Sequence, residues 1–299
     1  VDKQTLFYMS ADSLEDLKPM SELFDLNGKV AVVTGTVGLA LFVINRLAEC
    51  GAKVAFGGRT EEWGRMAEET LKEKGYDVSF FKTDVRKVED CYALTEFAEK
   101  QYGAVDIVVP VAATWGPRAF VDMKEEEWDD VIDTDLKGQY FTIQAAARSM
   151  IRGGKGGKVV TIASVAHRGE DMLKIAMMTN YNAAKAGVVG MTRGIAKELR
   201  QYGINVNCVA PGGMLTPGAM MNSAKSSELY GTEWDADVMA YGGGTPVSAT
   251  PDEVALMVVT MCTDVSDFMY GQLIEVDGGS QFSFQQKPWS YTMKGGKHA

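Results

Sequence analysis

Histidine is nearly absent: His167 and His298 are the two in 299 residues, too few for a His-rich metal site or a repeated imidazole relay. The four cysteines (Cys50, Cys91, Cys208 and Cys262) are scattered, and no two have Cys-x-x-Cys spacing. A zinc ribbon is thereby excluded, and in a chain this long the pattern reads as reduced thiols of an intracellular protein, not a disulfide framework. Positive charge is in deficit, with 30 Lys and Arg against 40 Asp and Glu and a net charge of −10. No basic face compensates, so nucleic acid and anionic membrane are not expected as partners. No apolar run reaches the roughly 20 residues that a spanning helix needs. Residues 1–9 have no basic segment followed by an apolar run, so no signal peptide is visible, and the expected location is the cytoplasm.

What is present is a repeating alternation. Lys29-Val-Ala-Val-Val-Thr-Gly35 is a short apolar run ending at a glycine turn, as a buried parallel strand does. An apolar helical pattern follows over 39–50. Further strands are expected at 52–57, 78–84, 105–110, 158–163, 205–210 and 273–276. Helices are expected at 61–74, 88–102, 125–150, 181–200 and 251–263. Strand and helix in turn with short connections predict an α/β fold, a doubly wound parallel sheet of Rossmann type with helices on both faces. Residues 1–25 read as an N-terminal extension, with Ser13 to Asp16 at capping-box spacing for a short helix. Residues 26–280 read as a single domain. The connection 213–249, rich in Met, Gly and aromatics, reads as a substrate lid. The tail 281–299 carries Phe282, Phe284, Trp289 and Tyr291, which suits docking, a neighbouring subunit being one candidate surface.

Ligands of such sheets bind at the carboxyl ends of the strands. Attention therefore falls on Gly35 and Gly38, on Arg59, on Asp84 and Val85, and on Ala112. Strand, glycine turn and helix together aim backbone N–H groups and a helix N-terminus at a phosphate. The end of the second strand lies near the adenosine ribose in dinucleotide-binding folds; an acid there suits NAD, an arginine the 2′-phosphate of NADP. Residues 57–59 contain no acid and include Arg59, so NADP(H) is expected as the preferred cofactor, with NAD(H) second. The plainer alternative is an exposed loop arginine.

Tyr181-Asn-Ala-Ala-Lys185 places a phenol and an ammonium one helical turn apart on one face. A phenol ionises near pH 10, and a neighbouring cation favours the phenolate. On its own the pair could be an exposed helical Tyr and Lys. Ser164 at the end of the fifth strand and Asn207-x-x-x-Pro211-Gly212 after it strengthen the functional reading.

Taken together, Thr34-Gly35 with Gly38, Asp84-Val85, Ser164, Tyr181-x-x-x-Lys185, Asn207-x-x-x-Pro211-Gly212 with Thr216, and Val276-Asp-Gly-Gly279 resemble the short-chain dehydrogenase/reductase family over about 26–280. The resemblance implies a seven-stranded sheet, a bound NAD(P)(H), and hydride transfer between nicotinamide and a secondary alcohol or ketone, a polyol or sugar among the candidates. It implies Tyr181 as acid/base, Ser164 orienting the substrate oxygen, and Lys185 holding the nicotinamide ribose and lowering the tyrosine pKa. The cofactor set it implies is Gly35, Gly38, Arg59, Asp84, Val85, Ala112, Tyr181, Lys185, Pro211, Gly212 and Thr216, without a metal. Homotetramers or dimers, paired partly through the helices at 125–150 and 181–200, are implied too.

Four places depart from the family pattern. The glycine turn is one residue shorter and ends in Ala40. Pro110-Val-Ala-Ala113 stands where Asn-Asn-Ala-Gly is usual. Asp135 occupies the position of the relay asparagine and joins the candidate catalytic set; an ionised carboxylate accepts hydrogen bonds but cannot donate them. The step from Ser164 to Tyr181 is longer than usual and carries His167, Arg168, Glu170 and Asp171 on the pocket rim, facing Trp115 and Arg118. Either arginine could grip an anionic or polyhydroxylated substrate; the alternative is an exposed charged loop. Two other classes stay open: a catalytically weak nucleotide-binding scaffold, and a cofactor-independent lyase of the halohydrin dehalogenase type. Ser164 and Tyr181 speak against the former. Lys185, Asp84 and Arg59 speak against the latter.

Overall fold

β1 (Val30–Thr34) is the strand about which the sheet reverses direction. In the computed structural model, which describes residues 2–5, 14, 17–169, 177–214, 216–230 and 248–280, it lies between β2 (Lys53–Gly58) and β4 (Ile107–Pro110). All five β1 residues are buried, as a strand covered on both faces requires. With β3 (Val78–Lys82), β5 (Gly157–Ile162), β6 (Ile204–Pro211) and β9 (Leu273–Val276) the order is β3-β2-β1-β4-β5-β6-β9, and every pairing is parallel. The expected doubly wound, seven-stranded sheet is present. β7 (Gly213–Met214) and β8 (Ser248–Ala249) form a separate two-stranded ribbon.

Successive residues of β1 feed opposite faces of the sheet, which is the period-2 rule at work. Ala31 and Val33 join a core with Val43, Ile44 and Leu47 of α1 (Leu39–Glu49) and with Leu71 of α2 (Glu61–Glu73). Val30 and Val32 join a second core with Leu94 of α3 (Val88–Tyr102) and with residues of two helices described below. Burial of such side chains stabilises by about 1.5–3 kcal/mol each.

The helix expected over 125–150 is interrupted. α4 (Glu125–Ile132) gives way to a π-helical segment, Asp133–Lys137, before α5 (Gly138–Gly153) resumes. A π-bulge adds a residue to the turn and is common at functional sites. Here Thr134 and Asp135 become buried. Gly138 closes the bulge by donating its N–H to the Asp133 carbonyl. Its missing side chain matters: a Cβ there would lie 2.8 Å from Val85 Cγ2 and 3.1 Å from the Asp133 oxygen. Gly138→Ala is expected to destabilise by about 1–3 kcal/mol through overpacking. Thermal unfolding measures it; an unchanged Tm would mean that Val85 moves aside freely.

α6 (Thr179–Leu199) follows, then α7 (Pro217–Tyr230) and α8 (Pro251–Thr260). Ile143 and Met150 of α5 and Ala196 of α6 complete the second core, whereas Val254 and Val258 of α8 belong to the first. α8 begins with Pro251 after a capping box made by Thr250 and Glu253, and it ends at Thr260, earlier than expected. β6 runs one residue further than expected, through Pro211.

In the N-terminal extension the described residues include helical stretches at 3–5 and at Met20–Leu23, and Lys18 Nζ reaches Asp264 Oδ2 at 2.8 Å. Apart from Leu14, the short helix expected at Ser13 to Asp16 lies outside the described residues, as do the aromatic tail at 281–299 and the part of the lid at 231–247. No helix among the described residues is long and apolar enough to cross a membrane.

Candidate active site

The strand ends converge at the switch between β1 and β4. Gly35 follows β1 with φ +104° and donates its N–H to the Gly57 carbonyl at 2.6 Å. Gly38 caps the N-terminus of α1 at φ +57°, a conformation glycine adopts without strain. A Cβ on Gly38 would come within 3.7 Å of the Thr216 methyl, so the turn and Thr216 face each other across a narrow gap. Ala40, the departure from the last family glycine, is buried, and its Cβ sits 2.7 Å from where a Gly35 Cβ would be. It fills the underside of the turn. No side-chain cap takes up the N–H groups at the start of α1, as a pyrophosphate at a helix N-terminus would require.

At the end of β2, Gly58 packs against the Thr36 side chain; a Cβ there would be 2.6 Å from Thr36 Cγ2. Arg59 follows it and is exposed. Asp84, after β3, is less available than expected. Its carboxylate is held by the Arg86 fork, Nε–Oδ1 at 2.9 Å and Nη2–Oδ2 at 2.6 Å, and Arg86 Nη1 also reaches Asp130 Oδ1 at 2.7 Å. The Arg86 guanidinium holds the Asp84 carboxyl below the usual carboxylate range, with a smaller contribution from Arg59. Val85 is buried against Gly138. Ala112, after β4, donates its N–H to Thr34 Oγ1 at 3.2 Å and lies beside Gly35.

The second half of the site is set by α6. Its buried stripe runs through Ala184, Lys185, Val188 and Thr192, so Lys185 takes a position that helical periodicity gives to an apolar side chain. Lys185 is 1% exposed. Its Nζ lies 3.0 Å from Asp135 Oδ2, 3.1 Å from the Ile162 carbonyl oxygen and 5.3 Å from the Tyr181 ring centroid. Asp135 is fully buried, and its Oδ1 accepts the Thr114 N–H at 2.7 Å. Burial works against the ammonium, but Asp135, with Tyr181 adding to it, more than offsets this, and Lys185 is held above its ordinary value. Burial pushes the Asp135 carboxyl up, with Lys185 and the Thr114 N–H opposing. With one oxygen on an N–H and the other facing the ammonium, the geometry is that of an ion pair.

Tyr181 is half-buried beside Trp115, the ring centroids 6.4 Å apart, and Ser164 stands across from it at the end of β5. Burial pushes the Tyr181 phenol up. Lys185 and the Ser164 hydroxyl pull it down and Asp135 pushes it up, so the expected lowering by Lys185 is outweighed in the ligand-free site. Ser164 Oγ also accepts the Ala166 N–H at 3.2 Å, capping the short helix Val165–Arg168.

The rim differs from both expectations. Arg118 is paired with Glu127 through Nε at 3.0 Å and through Nη2. Arg168 Nη1 reaches Glu275 Oε2 at 2.5 Å, and His167 Nε2 lies 3.0 Å from Glu275 Oε1. The His167 and Arg168 contacts with Glu275 fasten the end of β5 to β9, and Arg118–Glu127 ties the loop after β4 to α4. They are neither open anion grips nor an exposed loop. Glu170 and Asp171 lie outside the described residues. Pro211 lies in β6, and Gly212 donates its N–H to the Val276 carbonyl at 2.9 Å, while the Asn207 amide is spent on Asn205 and the Met269 carbonyl. Three participants had no sequence signal: the Thr114 N–H, Gln139, whose amide brackets Ile162 through both N–H and carbonyl at 3.2 and 2.9 Å, and Lys225 on α7. A Cβ on Gly116 would stand 4.0 Å from Lys225 Nζ, which brings α7 over the mouth. Backbone partners and lid contacts leave no residue-type pattern to read.

Known proteins are similar to this chain in sequence and fold. The family model described as short chain dehydrogenase matches residues 29–227. The chain is 35% identical over 259 residues to the 3-oxoacyl-[acyl-carrier-protein] reductase FabG of Chlamydia muridarum, covering 85% of this chain and 98% of that protein. It is 32% identical to the 2-dehydro-3-deoxy-D-gluconate 5-dehydrogenase of Escherichia coli, covering 86% and 96%. Among solved structures, an actinorhodin polyketide ketoreductase with NADPH superposes with a TM-score of 0.77 at 31% identity, covering 84% of this chain and 97% of that one. A short-chain type dehydrogenase/reductase from Mycobacterium marinum gives 0.76 at 28%, covering 87% and 98%. The family's chemistry is oxidation and reduction at CH–OH and C=O groups with a nicotinamide cofactor, and this chain belongs to the short-chain dehydrogenase/reductase family.

Proposed function

We propose that the protein interconverts a ketone and its secondary alcohol, with Tyr181 as acid/base and NADP(H) as the preferred cofactor. The observation that carries this is the placement of Tyr181 and Ser164 at one strand end, with the buried Lys185 one turn behind the phenol. Gly35, Gly38 and Thr216 would hold the pyrophosphate, Ala112 and Val85 line its path, and Arg59 takes the 2′-phosphate. Asp84, drawn off by Arg86, has the weaker claim to a direct contact. Bound there, a nicotinamide cofactor would supply the hydride chemistry at the carbonyl carbon. Tyr181 gives its phenolic proton to the oxygen that gains charge and regains a proton from solvent; run backwards it is the base. The Ser164 hydroxyl donates a second hydrogen bond to that oxygen as it becomes anionic. Lys185 orients the nicotinamide ribose.

The two curated relatives are named for a 3-oxoacyl thioester and a keto-sugar acid, both ketones. Support for a homo-oligomer comes from the family alone. The test is a fluorescence titration with NADPH and NADH, followed by a screen of 3-oxoacyl thioesters, keto-sugar acids and simple ketones. Micromolar NADPH binding with turnover of any member is expected; binding of neither cofactor at millimolar concentration would overturn the reading.

Arg59→Ala isolates the cofactor preference. Arg59 is exposed and forms no ion pair among the described residues, so its loss leaves the fold intact. NADPH affinity is expected to fall by about 1.5–3 kcal/mol, the range for a hydrogen bond to a charged group, with NADH affected little. Equal loss for both cofactors would show that Arg59 does not read the 2′-phosphate.

A further inference from the structure

The usual cation beside the tyrosine is not a lone cation here. Lys185 is fully buried, and the fully buried Asp135 faces its Nζ at 3.0 Å. Asp135 is fixed in that position by the π-helical segment, which turns it inward, and by the Thr114 N–H at 2.7 Å. A carboxylate in contact with an ammonium opposes its field at a third group a few ångströms away, although the nearer charge keeps part of its effect. We propose that Asp135 is a positioning residue that weakens the field of Lys185 at Tyr181, so that in this buried setting Tyr181 keeps its proton and the site stands ready as a proton donor for ketone reduction at neutral pH.

Among the described residues, the other groups facing this cluster do not make up for the positive charge that Asp135 opposes. On its own helix Tyr181 faces Lys185. From the π-helical segment comes Asp135, with Asp130 of α4 adding negative charge behind it. From β6, the buried Cys208 thiol lies toward Lys185 and stays protonated because burial pushes it up. From β5 comes Ser164, which does not titrate in this range, and from the loop after β4 comes Trp115. Arg118 is paired with Glu127, and Lys225 of α7 approaches Gly116 from the solvent side. Among the described residues, the cations that could favour a phenolate are therefore Lys185, whose field Asp135 opposes, and Lys225, which is exposed. Oxidation of an alcohol needs the phenolate, so it would emerge only as the pH rises toward the tyrosine range. Reduction uses the protonated phenol and holds through neutral pH, declining only at alkaline pH. An asparagine at 135 would keep the hydrogen-bond acceptor for Thr114 and leave the lysine charge unopposed.

The inference rests on Tyr181 being the acid/base group, and its test is read without substrate so that the two can fail separately. The ultraviolet tyrosinate absorbance of the intact protein is titrated for the wild type and for Tyr181→Phe, and the difference isolates Tyr181. It is expected to ionise at or above the ordinary tyrosine value of about 10. The same difference taken in an Asp135→Asn background is expected to fall by about 1 pH unit or more, as an unopposed cation requires. Circular dichroism at each pH confirms that the fold persists. Should Asp135→Asn not fold, the wild-type difference decides alone: ionisation clearly below about 10 overturns the proposal. An unshifted value in Asp135→Asn overturns it as well. A Tyr181→Phe variant that kept its turnover would sink the acid/base assignment and leave this titration result standing.

Discussion

Tyr181→Phe is expected to lower turnover by about 10²–10⁴-fold, the usual contribution of a positioned acid or base. The substitution removes one oxygen. The ring keeps its place beside Trp115 and against the Lys185 ammonium, since both contacts are made by the ring itself. Cofactor binding through the glycine turn and Arg59 lies at other strand ends and should be nearly unchanged. That separation makes the experiment sharp. A loss in kcat with NADPH affinity intact places the phenol in the chemical step. Turnover close to wild type would mean that another group carries the proton. Ser164→Ala is a poorer probe, because Ser164 Oγ also caps the following helix and its removal costs stability of its own.

The sheet was legible because its strands announce themselves. Val30 to Val33 are apolar on both faces, as only a doubly covered strand needs to be, and the glycine at 35 marks the stop. The candidate pair was legible from spacing only in company with Ser164 and the Pro211-Gly212 turn: a helix brings positions 181 and 185 together whatever surrounds them, but an exposed Tyr and Lys would look the same. What the sequence hid were choices among partners. Nothing at Asp84 says that Arg86, two residues on, will take its carboxylate; nor do Arg118 and Arg168 advertise Glu127 and Glu275. A charged rim residue and a structural ion pair look alike until the fold sets their neighbours. The π-helical segment was hidden for another reason. Its residues, Asp133 to Lys137, follow an ordinary helical pattern, and the burial of Asp135 and the packing of Gly138 on Val85 that go with the bulge appear only in the fold.

The same buried pair predicts the largest loss of stability. Lys185→Met fits a similar volume but strands Asp135, 0% exposed, without its counter-charge. Removing one partner of a buried ion pair typically costs about 3–5 kcal/mol, because the remaining charge stays desolvated. Against a total stability of about 5–15 kcal/mol, that is enough to lower the denaturant midpoint steeply. The Thr114 N–H still satisfies Oδ1, so the loss is of charge compensation, not of every hydrogen bond. Adding Asp135→Asn should therefore recover much of the deficit, since a neutral amide can stay buried beside Met and still accept from Thr114. Urea unfolding of the two single variants, the double variant and the wild type gives the coupling between the residues directly. A strongly non-additive cycle, with the double variant more stable than Lys185→Met alone, shows that the pair is ionised in the folded protein. An additive cycle would mean that Asp135 is already neutral, and its opposition to the Lys185 field at Tyr181 would fall with it.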